Sequence, residues 1–484
     1  MLAEIGRERV VVQGREVLAL IKEKKIEMVD LKLVDLTGGW HHITIPVSEI
    51  EEETFRHGVA FDGSSIRGYR SIEESDMIML PDPRTAIIDP FMEAPTLSMI
   101  CDLYTPAGER YDRDPRYIAE KAEAYLKETG IADVSYWGPE LEFFVFDEVR
   151  FDANQHSAYY FIDSNEAVWN SGRQENPNLG YKVRNKQGYF PVAPVDTQAD
   201  LRTEMVKVLQ DCGIRVERHH HEVATAGQAE INMRFDTLTR MADTVMLYKY
   251  VVKNVARRRG KTATFMPKPL FGDNGSGMHI HQSLAKGEQN IFHGPGRYGN
   301  LSEIGHQYVA GVLRHAPALL SLTNPTTNSY KRLVPGFEAP VNLVFSRGNR
   351  SAAIRIPTNS TSPKATRIEF RTPDATANPY LALASVLMAG IDGVKKRLDP
   401  TREGFGPIDK NIYKLSPDER REVRSVPGSL EETLRLLDND HEFLLQGEVF
   451  SRDLLQAWAE LKQEEIDAVR LRPHPVEFGL VFDA

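Results

Sequence analysis

The chain has 484 residues, of which 41% are hydrophobic and 26% are charged, and its net charge is −10. This length predicts two or more domains, and the composition is typical of an ordinary soluble globular protein. The negative charge argues against nucleic-acid binding and against binding to an anionic membrane surface. The two cysteines, Cys101 and Cys212, exclude a disulfide framework and favour the reducing cytoplasm. The N-terminus has no secretory apolar core, and the longest apolar-rich run, Leu381–Val394, is too short to span a bilayer.

The first part of the chain predicts a small α+β unit of about one hundred residues. Met28–Leu36 alternates as a strand, and Trp40–Pro46 returns as its hairpin partner after a Thr-Gly-Gly turn. Asp114-Pro115 then supplies the N-cap and the first position of a new helix. We therefore predict a first domain of residues 1–112 and a second domain of residues 113–484.

The second domain is predicted to contain several helices and one long loop. Phe151–Pro194 is polar and has little periodicity, which is typical of a functional loop or flap. The Arg257–Arg259 run is compatible with nucleic-acid binding, but cations at the negative end of a helix explain it better. The helices predicted over the whole chain include residues 15–25, Asp200–Asp211, Leu238–Arg259, Ser302–Leu320, Pro379–Arg397 and Arg452–Leu471.

The stretch Gly138–Phe146, GPELEFFVF, predicts a strand at the centre of the second domain. Side chains alternate across a strand, so Glu140 and Glu142 leave the same face, roughly 6.5–7 Å apart. Two carboxylates on so apolar a strand repel each other and resist desolvation. We predict a hard divalent cation between them. The alternative is an exposed sheet face with two solvated acids.

A second pair of carboxylates follows the His219–His221 run. A hairpin that turns near Ala226 would set Glu222 directly opposite Glu230, and like charges there destabilise a sheet unless they are neutralised. The three histidines suggest zinc, but consecutive strand residues point to opposite faces and cannot all bind one ion. Four carboxylates favour magnesium or manganese instead.

A glycine-rich turn, KPLFGDNGSGMH at Lys268–His279, leads into a strand on which His279, His281 and Ser283 share one face. Glycine and asparagine permit positive φ angles and let a backbone press against a ligand. A plain hairpin turn explains the same residues equally well. The Gly-Lys-Thr at Gly260–Thr262 lacks the first glycine of a Walker A motif, so we treat it as coincidence.

Cations cluster in the last part of the second domain. Arg367, Glu369 and Arg371 share one face of the predicted strand Thr366–Arg371. They are either a surface ion ladder or a metal ligand flanked by anion-binding arginines. Further cations precede them at Arg347, Arg350, Arg355 and Lys364.

Pro335, Gly336 and Pro340 exclude regular structure around Glu338, which is therefore predicted to lie on a loop. A solvated loop acid is the alternative interpretation. Acids for several cations, together with bases for phosphate, are typical of a phosphoryl-transfer site.

Taken together, these motifs resemble the bacterial type I glutamine synthetases, from about Met28 to the C-terminus. The matching motifs, in chain order, are FDGSS at Phe61–Ser65, ESD at Glu74–Asp76, GPELEF, HHHEVATAGQAE, KPLFGDNGSGMH, NSYKRLVPGFEAP and RIEFRTPD. The resemblance implies ATP-dependent ligation of L-glutamate and ammonium to L-glutamine through a γ-glutamyl phosphate, for nitrogen assimilation. It also implies two divalent metal ions per subunit, Mg²⁺ or Mn²⁺.

The fold implied by the resemblance is α+β, with an N-terminal β-grasp domain and a C-terminal catalytic domain. The curved antiparallel sheet of the catalytic domain would form a half-barrel, or funnel, flanked by helices. The family further implies a homo-dodecamer of two hexameric rings with active sites between subunits. Residues 472–484 resemble the strap that grips the opposite ring.

The resemblance also implies a role for individual residues. The metal ligands would be Glu140, His279 and Glu369 for the ion nearer the nucleotide, and Glu142, Glu222 and Glu230 for the other. The ATP contacts would be Glu217, Phe235, His281, Ser283, Arg350, Lys364 and Arg367. The glutamate contacts would be Asn274, Gly275, Arg332, Glu338, Arg350 and Arg371. The ammonium pocket would contain Asp62, Ser65, Tyr189, Glu222 and Glu338.

Four of these residues would act in catalysis. Asp62, supplied by a neighbouring subunit, resembles the acid that deprotonates ammonium. Glu338 resembles the flap acid that closes the site and helps to accept a proton. Arg350 and Arg355 resemble the arginines that stabilise phosphoryl transfer.

Regulation is a further expectation. Tyr413 corresponds to the tyrosine that an adenylyltransferase modifies in part of the family, and a small inhibitory protein is another partner that the family implies. The longer connection after Lys396 and the presence of Lys414 depart from that pattern.

Two other functions are open at this stage. One is a ligase of the same family that couples glutamate to an amine or a polyamine, although the Asp62 motif and the acidic pocket fit ammonium better. The other is a non-catalytic structural homologue, which should have lost metal ligands.

Overall fold

The computed structural model describes residues 2–337, 339–358, 362–410 and 421–484, with side chains from residue 13 onward. The α-helices of these residues are α1 (Leu2–Glu23), α2 (Thr54–His57), α3 (Pro115–Glu128), α4 (Ala199–Asp211), α5 (Leu238–Arg258), α6 (Glu303–Thr323), α7 (Ser329–Arg332), α8 (Pro379–Lys395), α9 (Leu430–Asn439), α10 (Glu442–Leu445), α11 (Arg452–Arg470) and α12 (Pro475–Val481). The strands are β1 (Met28–Val34), β2 (Trp40–Pro46), β3 (Val59–Asp62), β4 (Asp76–Pro81), β5 (Ile87–Ile88), β6 (Thr96–Tyr104), β7 (Val134–Phe146), β8 (Glu148–Ala153), β9 (Ala158–Asp163), β10 (Val216–His221), β11 (Gln228–Met233), β12 (Asp236–Thr237), β13 (Thr262–Thr264), β14 (Met278–Lys286), β15 (Gln289–Asn290), β16 (Asn342–Ser346), β17 (Ala352–Arg355) and β18 (Ile368–Phe370).

The N-terminal part of the chain folds around a sheet with the strand order β2-β1-β6-β4-β3, to which β5 adds at β6. The predicted hairpin of β1 and β2 is confirmed, because Val34 pairs with Trp40 and Met28 with Pro46. The chain then crosses over, so that β1 and β6 are parallel. Helix α1 covers this sheet with Val17 and Ile21, which are buried in the same core as Phe55. The helix begins at Leu2 rather than at the predicted residue 15, well before the apolar pattern starts.

The larger part of the chain is built on a sheet with the strand order β10-β11-β7-β14-β18-β17-β16. Strand β7 is 13 residues long and lies near the middle. Leu141, Phe143 and Val145 are fully buried on one of its faces, as the alternation predicts. Glu140 and Glu142 therefore project from the other face.

Helices cover the apolar face of this sheet. Helix α8 is buried along almost its whole length and packs against α6. A Cβ atom at Gly311 of α6 would lie 2.2 Å from the Ala389 carbonyl of α8, so only glycine allows this close approach. The predicted start of α3 is confirmed, because the Asp114 carboxylate accepts a hydrogen bond from the Arg116 amide and Pro115 is the first helical residue. The predicted fold class is thus confirmed, and the boundary between residues 112 and 113 stays a prediction.

The prediction of one irregular loop over Phe151–Pro194 is wrong in its first part. Strands β8 and β9 form a two-stranded hairpin there, and Phe151, Tyr159 and Tyr160 are exposed on it. Such a ribbon has no face against a core, so its sequence lacks the usual alternation of apolar and polar residues. The remaining residues, up to α4, contain one short 3-10 helix at Val168–Asn170. None of the described helices is both long and apolar enough to cross a membrane.

Candidate active site

Acidic and histidine side chains form a row across adjacent strands of the large sheet, on the face away from the helices. We call this set the acidic row. In strand order, it consists of Glu222 just after β10, Glu230 on β11, Glu140 and Glu142 on β7, His279 on β14 and Glu369 on β18. Residues separated by up to 229 positions in the sequence (140 to 369) therefore lie side by side because their strands are hydrogen-bonded neighbours.

The first half of the acidic row is the group Glu140, His279 and Glu369, whose ligand atoms all lie within 4.8 Å of one another. His279 pairs directly with Glu140 across β7 and β14. Its Nδ1 atom lies 3.9 Å from Glu140 Oε2 and 3.8 Å from Glu369 Oε1. Two carboxylates and one imidazole at this spacing are a suitable donor set for a divalent cation.

In the second half of the row, Glu222 and Glu230 lie beside His220, which is not itself a member of the row. The ligand atoms of these three residues also lie within 4.8 Å of one another. His220 Nδ1 is 3.5 Å from Glu222 Oε1, and its Nε2 is 3.6 Å from Glu230 Oε1. The predicted register is wrong here, because Glu230 pairs with His220 and the Glu222 amide donates to the Gln228 carbonyl. The turn is centred one residue earlier than predicted, so the two carboxylates lie diagonally on the same face. The diagonal leaves room for the imidazole between them.

Glu142 joins the two halves of the row. It lies directly opposite Glu230 across β7 and β11, and its Oε1 atom is 3.9 Å from His279 Nε2. Its other oxygen accepts hydrogen bonds from the Gly277 amide at 3.0 Å and from the Gln228 side chain at 3.2 Å. Burial raises the pKa of Glu142, and although His279 lowers it, the charge of Glu230 raises it further. An added cation would relieve both penalties.

The pKa values change along the row with the counter-charge that each acid meets. Burial raises the pKa of Glu140, but the imidazoles of His279 and His281 outweigh that effect and hold it well below its usual range. Burial also opposes ionisation of Glu369, yet Arg371 and its other cationic neighbours lower its pKa to about 2. Arg355 Nε donates to Glu369 at 2.5 Å, and Arg371 donates to the same carboxylate. Glu369 is therefore a candidate metal ligand that also belongs to an ion ladder, but the ladder contains Arg355 and Arg371, and the predicted Arg367 contacts His281 instead.

The predicted glutamate contacts border the acidic row at the glycine-rich turn. The Asn274 side chain is buried, and its Oδ1 atom has no hydrogen-bond partner among the described residues. A Cβ atom at Gly275 would lie 2.4 Å from the Pro267 carbonyl, so the turn requires glycine at this position. The buried Arg332 guanidinium donates to the Thr372 carbonyl at 2.7 Å and to the Arg371 carbonyl at 3.2 Å.

The predicted nucleotide contacts are brought together only in part. His281 Nε2 lies 3.2 Å from Glu140 Oε1, and Arg367 Nε donates to His281 Nδ1 at 3.2 Å. Glu217 is close enough to contribute to the electrostatic environment of Arg367. Phe235 is 54% exposed and packs edge-on against Tyr136, which pairs with Ser283 across β7 and β14.

Arg350 and Lys364 lie on exposed segments beside β17 and β18. Among the described residues, their side chains are not seen to contact the acidic row. Glu338 and Tyr413 lie outside the described residues.

The predicted ammonium residues come from two separate places. Asp62 and Ser65 lie at the end of β3 in the N-terminal sheet, where Asp62 accepts hydrogen bonds from the Ser64 and Ser65 hydroxyls at 2.6 Å. These hydrogen bonds lower the pKa of Asp62. Tyr189 is 47% exposed and stacks on Phe190, and its ring centroid is 5.7 Å from that of His220. Tyr189 is thus beside the second half of the acidic row.

Several residues of the site were missed by the sequence analysis. His220 was considered only for zinc, although its position two residues before Glu222 on a strand places both on one face. Gln228 and Gly277 hold Glu142, and a Cβ atom at Gly277 would lie 2.3 Å from Arg332 Nη2. The Asn232 amide donates to Glu230 at 2.6 Å. The contacts of Glu142 join residues that are far apart in the sequence, so no local pattern reveals them, whereas Asn232 lies two residues after Glu230 on the same strand and face.

The arrangement can bind divalent cations beside a cationic border. Oxygen and imidazole donors suit magnesium or manganese, and the guanidiniums of Arg355, Arg367 and Arg371 at the other end suit phosphate and carboxylate groups. Clustered acids, a basic border and an exposed aromatic ring are the components of a site for phosphoryl transfer from a nucleotide.

Comparison with known families matches nearly the whole chain. The model of the glutamine synthetase β-grasp domain matches residues 25–106, and the model of the glutamine synthetase catalytic domain matches residues 112–481. A glutamine synthetase of Microchaete diplosiphon is 56% identical over 97% of this chain and 99% of its own length. A glutamine synthetase of Aquifex aeolicus is 55% identical over 97% of this chain and 98% of its own length.

Solved structures show the same similarity. A cryo-EM structure of Plasmodium falciparum glutamine synthetase superposes with a TM-score of 0.87 at 32% identity, over 97% of this chain and 98% of that chain. A complex of GmaS with ADP superposes with a TM-score of 0.79 at 26% identity, over 96% of this chain and 99% of that chain.

Proposed function

Because this chain belongs to the glutamine synthetase family, we propose that it ligates L-glutamate and ammonium to L-glutamine at the expense of ATP, through a γ-glutamyl phosphate. The observation that carries the proposal is the acidic row, in which six predicted ligands from four neighbouring strands and one strand end meet on one face of the sheet. A non-catalytic homologue would have no reason to keep so many acids together at the cost of their mutual repulsion.

Glu140, His279 and Glu369 would hold one divalent ion, and Glu222 and Glu230 with Glu142 or His220 would hold the other. When bound, such ions would neutralise the phosphate oxygens and so make the phosphorus more electrophilic. We propose that the nucleotide lies at the end of the row where Phe235 is exposed and Arg367 contacts His281.

The first step would be attack of the glutamate γ-carboxylate on the terminal phosphate of ATP, which yields the acyl phosphate and ADP. Arg332 and the Asn274 amide would orient the glutamate, since both side chains are buried beside the row and the Asn274 oxygen accepts no hydrogen bond from the part of the chain that the structure describes. Arg350 and Arg355 would stabilise the charge of the transferring group.

The second step would be attack of ammonia on the acyl carbon of the γ-glutamyl phosphate, which releases inorganic phosphate and yields glutamine. Ammonium must lose its hydration shell and a proton before it can attack, and a carboxylate can both attract the cation and take the proton. We propose that Asp62 of a neighbouring subunit takes this proton and that Ser65, Tyr189, Glu222 and Glu338 complete the pocket. The support for a neighbouring subunit is that Asp62 belongs to the N-terminal sheet and is exposed there, where its hydrogen bonds to described residues come from Ser64 and Ser65 of its own turn.

The proposal includes a dodecamer of two hexameric rings. The exposed aromatic residues of the β8–β9 hairpin, and the exposed Phe478, Leu480 and Phe482 of the C-terminal segment, would be covered in such an assembly. Light scattering should then give about twelve times the chain mass of 54.7 kDa.

We also propose a cytoplasmic location, which is supported by the two unpaired cysteines.

The test of the proposed activity is ADP release with each combination of glutamate and ammonium, in Mg²⁺ and in Mn²⁺. Release that requires both substrates, with glutamine as the product, would support the proposal, and release that is indifferent to ammonium would contradict it. Competing amines in the same assay distinguish ammonium from an amine or polyamine as the acceptor.

Single variants test the assigned roles. Asp62→Ala should mainly damage the use of ammonium, and an unchanged ammonium dependence would count against its role. Glu338→Ala should leave ATP binding nearly intact but greatly reduce glutamine formation.

Adenylylation of Tyr413 by an adenylyltransferase, and control by a small inhibitory protein, are further proposals. Peptide mass spectrometry of protein from nitrogen-rich cells tests the first, and only unmodified Tyr413 would exclude it.

A further inference from the structure

Two lysines from different parts of the chain contact the same aromatic ring beside the candidate glutamate site. Lys186 Nζ lies 4.4 Å from the centroid of the Phe337 ring, and Lys268 Nζ lies 3.9 Å from it. Lys186 Nζ also lies 3.4 Å from the Gly336 carbonyl, to which it donates a hydrogen bond. Ammonium groups over an aromatic face are attracted by its quadrupole, so the ring is held by both. Phe337 is the residue directly before Glu338.

Lys268 is fixed to the glycine-rich turn. Its backbone amide donates to the Asn328 side chain at 2.7 Å, and its carbonyl accepts from the same side chain at 3.1 Å. Its Nζ atom donates to the Asp273 carbonyl, next to Asn274. The pKa of Lys268 is lowered to about 8, mainly by burial. The charge of Asp273 raises this pKa, and the charges of Lys186 and Arg332 lower it. The position thus brings like charges together, which needs a compensating contact such as the Phe337 ring.

Lys186 is fixed to the segment that carries Tyr189. The Gly188 amide donates to the Val223 carbonyl at 3.1 Å, beside Glu222. The Gly188 carbonyl lies 2.8 Å from His221 Nδ1, and the other nitrogen of that ring lies 2.9 Å from the buried Glu166. Lys186 therefore sits on a part of the long loop that is bound to the acidic row.

The backbone of Lys186 is in the left-handed region, with a φ of 58°. This conformation is unfavourable for a residue with a Cβ atom, and glycine would adopt it without strain. In this conformation the side chain of Lys186 reaches the Phe337 ring and the Gly336 carbonyl.

We propose that Lys186 and Lys268 are positioning residues that hold Phe337, and with it the turn before Glu338, against the glutamate side of the site. We call the three residues the Phe337 clamp. The clamp joins three segments with separate roles, namely the Tyr189 segment, the Asn274 turn and the flap that contains Glu338. Gly336, with a φ of +95° and nothing within 4 Å of its Cβ position, leaves the turn free to swing when the clamp opens.

The inference rests on the proposed function, because its consequence concerns the acyl phosphate. An acyl phosphate hydrolyses if water reaches it before ammonia, so the flap must stay closed during its lifetime. A weakened clamp should therefore release ADP without forming glutamine, while the binding of ATP at the other end of the acidic row is unaffected.

The first test compares Phe337→Leu with Phe337→Tyr and with Phe271→Leu. Phe271 lies on the same glycine-rich turn and is 97% exposed, so it is a matched control for the loss of a loop aromatic. We expect Phe337→Leu to lower kcat for glutamine about tenfold, since two cation–π contacts are lost. The KM for ATP should stay within about twofold, and the ratio of ADP to glutamine should rise above one. Phe337→Tyr and Phe271→Leu should behave like the parent.

The second test removes one cation. Lys186→Met keeps the length of the side chain and loses its charge, whereas Lys186→Arg keeps a cation that can contact the ring. Hydrogen exchange of the backbone amides of Val334, Gly336 and Phe337 should be faster in Lys186→Met and Phe337→Leu than in the parent, and unchanged in Lys186→Arg. This readout needs no catalysis.

The outcomes separate the two proposals. If the parent makes no glutamine, the proposed function fails, and the hydrogen exchange still tests the clamp. If the parent makes glutamine but Phe337→Leu retains the parental ratio of ADP to glutamine and the parental exchange rate, the clamp is overturned. A loss that is equal in Phe271→Leu would also overturn it, because it would not depend on the lysine contacts.

Discussion

The carboxylates around Arg116 and those of the acidic row are both buried, but their counter-charges have different origins. Arg116 is 2% exposed, and its guanidinium donates to Asp82 at 2.7 Å, to Asp102 at 2.5 Å and to Asp243 at 3.0 Å. Asp82 and Asp102 come from the N-terminal sheet, whereas Arg116 and Asp243 come from α3 and α5. The chain supplies the cation here, and the resulting ion cluster joins the N-terminal sheet to the helices.

Among the described contacts of the acidic row, guanidiniums donate hydrogen bonds to Glu369. Glu142 and Glu230 lie opposite each other, and burial with the charge of Glu230 raises the pKa of Glu142, although His279 and Arg332 lower it. Around Arg116 the opposite occurs. Burial raises the pKa of Asp82, but Arg84 and Arg116 outweigh burial and lower this pKa to about 2. A cluster centred on a buried guanidinium stabilises the fold, and a row in which buried acids such as Glu142 and Glu230 face each other is suited to binding cations from solution.

The largest effect is expected from Arg116→Met. It removes the buried guanidinium that pairs with three carboxylates, of which Asp82 keeps Arg84 and Asp102 keeps Arg110, so the free energy of unfolding should fall by about 3–5 kcal/mol. Urea unfolding in the presence of a chelator measures this. Arg84→Met is the control, because Arg84 pairs with the same Asp82 but its side chain is 53% exposed, and it should cost less than about 1 kcal/mol. Equal losses in the two variants would contradict the special role of the buried guanidinium.

The next effect is the response to metal. Mg²⁺ or Mn²⁺ at a hundredfold excess over its Kd should raise the free energy of unfolding by about 2.7 kcal/mol, because the ions bind the folded acidic row. Glu230→Gln should lose much of this increment. Arg116→Met should keep it in full, although it starts from a lower stability. An increment that falls equally in both variants would mean that the two clusters are not independent.

The third effect concerns acid pH. Since the folded pKa of Asp82 is about 2 and its ordinary value is 3.8, its ion pairs contribute stability above the ordinary value and lose it as the pH falls through about 2. The contribution is on the order of 2–3 kcal/mol. Asp82→Asn should therefore be less stable than the parent near neutral pH, and the difference should shrink toward zero at about pH 2. Chemical unfolding over this range is the measurement, and a constant difference would rule out this ion pair as its source.

The smallest effect is expected from His220→Asn. If the imidazole between Glu222 and Glu230 helps to hold the second cation, its loss should weaken metal binding about tenfold. Calorimetric titration with Mn²⁺ measures the affinity. His219→Asn is the matched control, because His219 lies on the opposite face of β10 and contacts Arg202 and Thr203 instead. The interpretation fails if His219→Asn weakens binding as much as His220→Asn does.

The comparison also explains which parts of the molecule were predictable. The β1–β2 hairpin, the start of α3 and the face of β7 that carries Glu140 and Glu142 follow from local patterns, and the structure confirms them. Local patterns did not reveal the β8–β9 hairpin, because an exposed ribbon has no core-facing side. They also misplaced the turn before β11, because a one-residue change in a turn shifts the pairing of the whole hairpin.

The Arg116 cluster had no signal in the sequence, although it is one of the most heavily paired groups in the described residues. Its members are single charged residues spread from Asp82 to Asp243, and only the packing of α3 and α5 against the N-terminal sheet brings them together. The Phe337 clamp is similar, since Lys186 and Lys268 are ordinary lysines until the fold places both on one ring.

The amino-acid sequence by itself determined the kinds of chemistry present, because strand periodicity decides which acids share a face and motif order decides the family. Only the tertiary structure decided which acids meet a cation of the chain and which do not. The reason is that counter-charge depends on distances between strands and helices that are far apart in the sequence, and these distances are set by the packing of the whole sheet against its helices.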